Sequence, residues 1–136
     1  MVKRILVPVD GSPQSAEAIR FVTDEWPDAD VVLLSVIDPV DTGYTGSAFP
    51  SGAEEWYERA RREAETRLTE LAEEVGVDAE RVVVAGRPAA SIVEVAQDVD
   101  HVVMGSHGRT GVSRVVLGSV AEAVVRRSPV PVTIVR

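Results

Sequence analysis

Residues 105–120 read G-S-H-G-R-T-G-V-S-R-V-V-L-G-S-V, and they follow the short apolar run V-V-M at 102–104. The apolar run predicts a buried strand, and the small and apolar residues from Gly118 onward predict a helix. Gly105, Gly108 and Gly111 leave little side-chain bulk, so backbone N–H groups can approach a ligand closely. The first N–H groups of the helix lack intrahelical partners and carry the positive end of its dipole. The stretch fits either a phosphate-binding loop or a glycine-rich surface loop ahead of a capped helix.

Apolar, strand-like segments alternate with amphipathic, helix-like segments along the rest of the chain. Strands are predicted at residues 5–9, 31–37, 82–85, 102–104 and 131–136. A first helix follows Ser12 as N-cap, a long one follows a capping box at Ser51 and ends before Gly76, and two more begin at Pro88 and after Gly118. This alternation, without hairpin signals, predicts one α/β domain over residues 1–136, with a parallel sheet built from right-handed β-α-β units.

Composition and charge exclude several classes of protein. The chain of 136 residues is 45% hydrophobic, which is typical of a globular domain and not of a disordered one. Its net charge of −8 argues against nucleic-acid binding, which needs a basic face. The absence of cysteine excludes disulfides and thiol nucleophiles. No apolar run is long enough for a membrane span or a signal peptide, so we expect a cytoplasmic protein.

The loop motifs of several nucleotide-dependent enzymes and switches are missing. A P-loop needs Lys after its last glycine, and Lys3 is the only lysine of the chain. The dinucleotide fingerprint G-x-G-x-x-G should follow the first strand, where only Gly11 is present. A receiver domain needs an acceptor Asp after strand 3, which here ends V-A-G at 84–86, and a Lys after strand 5. These three classes are therefore excluded.

The spacing of three glycines is more specific than their number. Gly105, Gly108 and Gly118-Ser119 form the pattern G-x2-G-x9-G-S, which resembles the ATP-binding branch of the universal stress protein family. The resemblance extends over the whole chain. It includes I-L-V-P-V-D-G-S at 5–12, V-D-H-V-V-M-G-S-H-G-R-T-G at 99–111 and G-S-V-A-E-A-V-V-R-R-S-P-V-P-V-T-I-V-R at 118–136.

The resemblance implies an open five-stranded parallel sheet of order 3-2-1-4-5, flanked by helices on both faces in a Rossmann-like arrangement. Ligands of such sheets bind at the carboxyl ends of the strands where the strand order reverses, here between strands 1 and 4. The residues expected around an adenine nucleotide fall into two groups. Those at the adenine and ribose are Pro8, Val9, Asp10, Val36, Met104 and Gly105; those at the phosphates are Gly108, Arg109, Gly118, Ser119 and Val120. The ribose is assigned to Asp10, Met104 and Gly105, and the adenine to Val9 and Val36.

Further expectations follow from the same resemblance. The ligand is ATP, ADP or AMP, with Mg²⁺ or Mn²⁺ carried by its phosphates. The protein is a homodimer through its last strand, Pro131–Arg136, and a nucleotide-dependent sensor or switch in the stress response. The alternative is a slow ATP hydrolase or nucleotidyl transferase on the same scaffold, with His107 as the only plausible catalytic group. Residues 38–50 form a loop long enough to be a lid.

Overall fold

Strands and helices alternate in a computed structural model, which describes residues 3–39, 50–106 and 117–136. The strands are β1 (Arg4–Pro8), β2 (Asp30–Ile37), β3 (Ala79–Ala85), β4 (His101–Gly105) and β5 (Val132–Val135). The helices are α1 (Pro13–Glu25), α2 (Pro50–Val75), α3 (Pro88–Ala96) and α4 (Ser119–Arg127). No helix within these ranges is long and apolar enough to cross a bilayer.

The five strands form one parallel sheet in the order β3-β2-β1-β4-β5, which confirms the predicted fold class. The central strand β1 pairs with β2 and with β4, and Leu6 lies opposite both Val32 and Val102. β4 pairs in turn with β5, where Met104 lies opposite Ile134. Because all strands are parallel, their carboxyl ends meet at one edge of the sheet, and the loops that follow them lie together.

Each face of the sheet carries its own apolar core. Successive side chains of a strand point to opposite faces, so Ile5 and Val7 pack against α1 and α2, whereas Leu6 packs against α3 and α4. Leu68 of α2 is fully buried on the first face, and Val124 of α4 is fully buried on the second. Burial on both faces explains why the central strands read as continuous apolar runs instead of alternating ones.

Three helix ends, one of α1 and two of α2, test the predicted capping signals. Ser12 is the N-cap of α1 as predicted, but its hydroxyl makes no capping bond and donates to Asp10 instead. The capping box at Ser51 is wrong, because α2 already begins at Pro50, whose fixed φ suits a first helical turn. Gly76 ends α2 as predicted: its φ is 81° and its N–H donates to the Ala72 carbonyl at 2.8 Å.

Candidate functional site

The order in which the chain adds strands to the sheet reverses between β1 and β4. The connections from β1 through α1 to β2 and from β2 through α2 to β3 proceed towards one edge of the sheet, with both helices on one face. The connection through α3 returns to β4, and α4 then leads to β5 at the opposite edge. The loops after β1 and β4 therefore leave the sheet on opposite faces, which opens a crevice at the carboxyl ends of these two strands.

A cavity of about 350 Å³ lies at this crevice, within the size range of small-molecule sites. We call it the carboxyl-edge cavity. Nine of the residues predicted from the sequence line it together: Pro8, Val9, Asp10, Val36, Met104, Gly105, Gly118, Ser119 and Val120. Gly108 and Arg109, the other two, lie outside the described residues, as do His107 and most of the loop predicted as a lid.

Asp10 is exposed and follows the last residue of β1 by two positions. Its Oδ1 accepts three hydrogen bonds, from the Ser12 N–H at 2.9 Å, the Ser12 hydroxyl at 2.6 Å and the Ser15 hydroxyl at 3.1 Å. Among the described residues, no donor reaches Oδ2. One carboxylate oxygen thus holds the turn into α1, while the other keeps its capacity to accept from a ligand.

The amino terminus of α4 borders the cavity without a side-chain cap. Gly118 is the N-cap and has no capping side chain, and the Glu122 N–H makes the first helical bond, to the Gly118 carbonyl at 2.9 Å. Ser119 is exposed at the first helical position. The Gly118 N–H donates to the carbonyl of Ser106 at 2.8 Å, and the Ser106 N–H to that of Val135 at 3.0 Å. These bonds fix the helix start relative to the ends of β4 and β5.

Apolar side chains form much of the remaining lining. Leu34 and Ile92 are buried beneath the cavity, and Met104 is only 6% exposed. Val9 and Val36 are half-buried at the ends of β1 and β2. An apolar floor beside a helix amino terminus combines a surface for a flat ring with donors for an anion.

Gly105 has a packing role that was not predicted from the sequence. A Cβ at this position would lie 2.7 Å from the Cβ of Gln14 in α1, a separation that real Cβ atoms essentially never show. Gly105 is therefore needed where the end of β4 passes close to the first turn of α1. A role in close approach to a ligand stays a prediction beside it.

Several polar residues that line the cavity were not predicted from the sequence. Ser35 and Asp38 at the end of β2 are each 8% exposed, and Arg67 of α2 is exposed. Asp38 could have been predicted from the sequence, because it follows a buried strand at the same sheet edge as Asp10. Arg67 could not have been predicted, since its helix carries many Arg and Glu residues and no sequence feature distinguishes Arg67 from them.

His101 lies in β4, away from the cavity. Its Nε2 is 2.7 Å from the Thr133 hydroxyl of β5, and its ring lies 5.1 Å from that of Trp26. Burial lowers the pKa of His101 below its ordinary value, and the positive charge of Lys3 lowers it further. These contacts give His101 a structural position between α1 and the β5 edge.

An open parallel sheet with a cavity at its switch point defines a Rossmann-like α/β protein of the kind that holds small ligands at the carboxyl edge. A model of the universal stress protein family matches residues 1–136. The chain belongs to the universal stress protein family.

Two relatives come from Methanocaldococcus jannaschii. Universal stress protein MJ0531 is 34% identical over 142 residues, which span 100% of this chain and 83% of the relative. Universal stress protein MJ0577 is 32% identical over 155 residues, spanning 100% of this chain and 96% of the relative. Its solved structure superposes with a TM-score of 0.83 and covers 99% of this chain and 96% of its own.

A second similar structure was solved with a bound ligand. It is a universal stress protein in complex with cAMP, 25% identical, with a TM-score of 0.63. The superposition covers 99% of this chain and 97% of that one. The ligand of that relative is therefore an adenine nucleotide.

Proposed function

We propose that this protein is a single-domain member of the ATP-binding branch of its family and binds adenine nucleotide, with ATP as the main ligand, in the carboxyl-edge cavity. The observation that carries the proposal is the convergence of two separate sequence motifs, after β1 and after β4, on one cavity beside the uncapped start of α4. A relative that binds cAMP supports the same class of ligand.

The lining of the cavity provides suitable groups for each part of the ligand. The phosphates accept hydrogen bonds from the first N–H groups of α4, from the Ser119 hydroxyl and from Gly108 and Arg109. Asp10 accepts from the ribose hydroxyls through Oδ2, and Met104 and Gly105 lie beside the sugar. The adenine packs between Val9 and Val36, and Pro8 at the end of β1 also lines the site. Mg²⁺ or Mn²⁺ enters on the phosphate oxygens, which are the hard ligands these ions prefer.

A switch suits this cavity better than an efficient catalyst. Rapid phosphoryl transfer needs a cation on the phosphates, a metal-holding carboxylate and a residue that orients the nucleophile. Asp10 is assigned to the ribose, and among the described residues the lining of the cavity contains no lysine and no histidine. We therefore expect hydrolysis well below the roughly 1–10³ s⁻¹ that is usual for enzymes.

The direct test is mass spectrometry of the nucleotide released from protein purified without added ligand, followed by an ATP hydrolysis assay. The expected result is bound adenine nucleotide and slow turnover. Turnover of several ATP per second that is abolished in His107→Ala would favour the hydrolase instead. Absence of released nucleotide, together with no calorimetric binding of ATP, ADP or AMP, would contradict the proposal.

Asp10→Asn should distinguish the structural role of one carboxylate oxygen from the ligand-binding role of the other. The amide keeps one oxygen to accept from Ser12 and Ser15, so the turn and the free energy of unfolding should change little. The other position becomes an NH₂ donor, which cannot accept from a ribose hydroxyl. Loss of one charged hydrogen bond should weaken nucleotide binding by about 1.5–3 kcal/mol in calorimetry.

Deoxyadenosine nucleotides provide the control for Asp10→Asn. They lack the 2′-hydroxyl, so the penalty of the substitution should be smaller with dATP than with ATP. An equal penalty with both nucleotides would place the Asp10 contact elsewhere. Wild-type affinity for ATP in the folded variant would remove Asp10 from the site.

The edge strand β5 supports the expected homodimer. All four of its residues, Val132–Val135, are half-buried, and among the described residues it pairs only with β4. An unprotected apolar edge tends to pair with another chain, here antiparallel across a two-fold axis. Light scattering at micromolar concentration should give twice the 14.6 kDa of the chain. A monomer mass over that range would rule out the dimer.

A further inference from the structure

Arg67 reaches the carboxyl-edge cavity from α2, on the opposite face of the sheet from α4. The next residue, Leu68, is fully buried in the core between α2 and the sheet, so the backbone of Arg67 is firmly placed. Its side chain is exposed, and no residue in the described parts of the chain forms a hydrogen bond or an ion pair with it. No described residue therefore competes with a ligand of the cavity for the guanidinium.

The charge of the lining makes this side chain distinctive. Among the described residues that line the cavity, the charged ones are Asp10, Asp38 and Arg67. Two carboxylates disfavour an anionic ligand, and the protein as a whole carries a net charge of −8. Arg67 is the one cationic residue in the described lining that can offset this negative charge.

The position of α2 determines which end of a nucleotide Arg67 can meet. The phosphates belong at the start of α4, which packs against β5 on the β4 side of the cavity. α2 packs against β2 and β3, and β2 is separated from β4 by β1. Two strand spacings correspond to about 10 Å. A nucleotide with its phosphates at α4 thus directs its nucleoside towards β2 and Arg67.

We propose that Arg67 is a nucleoside-binding residue, whose planar guanidinium packs on the base or the ribose. This proposal rests on the proposed function and adds to it a contact from α2 that lies outside the glycine motif. Guanidinium groups stack on aromatic faces and donate hydrogen bonds in a fixed fork, so Arg suits a base better than Lys does. The contact adds α2 to the elements that hold the ligand, which otherwise are the loops after β1 and β4.

Calorimetry of wild type and Arg67→Ala with adenosine, AMP and ATP tests the contact. We expect about fivefold weaker binding of all three ligands, because the lost contact is on the part that they share. Arg67→Lys should keep most of this loss, since it restores the charge but not the planar group. The matched control is Arg59→Ala, an exposed residue of the same helix that does not line the cavity. It should retain wild-type affinity.

Three outcomes would overturn the proposal, and they are distinguishable. Unchanged affinity of Arg67→Ala, while wild type binds all three ligands, removes Arg67 alone and leaves the proposed function standing. A loss that grows from adenosine to ATP assigns Arg67 to the phosphates instead of the nucleoside, as does full rescue by Lys. A wild-type protein that binds none of the three ligands removes the proposed function itself.

Discussion

Ser119→Asp should abolish nucleotide binding while leaving the protein at least as stable as wild type. Ser119 is exposed at the first position of α4, where a carboxylate interacts favourably with the helix dipole by about 0.3–1 kcal/mol. The same carboxylate would meet the phosphates proposed to bind there. Two unit charges about 4 Å apart repel by about 4 kcal/mol near a protein surface, which corresponds to roughly a thousandfold loss of affinity. Calorimetry and urea unfolding measure the two effects separately.

Two controls isolate the cause of the Ser119→Asp effect. Ser119→Ala removes one hydroxyl but keeps the backbone donors, so it should weaken binding by only about 1–2 kcal/mol. Gln97→Glu adds the same charge at the exposed C-cap of α3, and it should leave affinity unchanged. The titrations should be run with and without Mg²⁺, because the new carboxylate can bind a metal ion. Wild-type affinity of Ser119→Asp under both conditions would exclude the start of α4 from the site.

The family resemblance implied the strand order, and the short motifs that carry the resemblance predicted much of the cavity lining. The P-V-D run at the end of β1 and the M-G run at the end of β4 belong to adjacent strands. Parallel pairing brings these strand ends together without any detail of side-chain packing. Pro8 likewise ends β1 because it lacks an N–H for the ladder. Such features depend on local sequence and on the order of the strands.

Features that depend on the relative position of two elements were not predictable in this way. Nothing in the sequence separates Arg67 from the other exposed arginines of α2, because its access to the cavity depends on where the helix crosses the end of β2. The sharing of one Asp10 oxygen among Ser12 and Ser15 depends on the shape of the turn into α1. The need for glycine at 105 arises from the distance between β4 and α1, which no spacing along the chain expresses.

Gly105→Ala should destabilise the protein even in the absence of nucleotide. The added methyl would lie 2.7 Å from the Gln14 Cβ and 3.6 Å from the Gln14 carbonyl oxygen, so α1 or the end of β4 must shift. The obstructing atom is a Cβ attached to the helix backbone, and it cannot rotate away as the end of a long side chain can. Overpacking of this kind costs about 1–3 kcal/mol. Urea unfolding at one fixed protein concentration gives the change, since dimerisation makes apparent stability concentration-dependent.

A double-mutant cycle with Gln14→Gly assigns this cost to the Gly105–Gln14 contact. Gln14→Gly removes the Cβ that the new methyl meets, so Gly105→Ala should be much less costly in that background than in wild type. Gly76→Ala is the comparison, because its cost comes from a φ of 81° and no atom lies within 4 Å of the added Cβ. That cost should be the same in the wild-type and Gln14→Gly backgrounds. If Gly105→Ala is equally costly in both backgrounds, the strain has another source. If it is neutral in wild type, the strand and helix separate without penalty and the packing role of Gly105 is wrong.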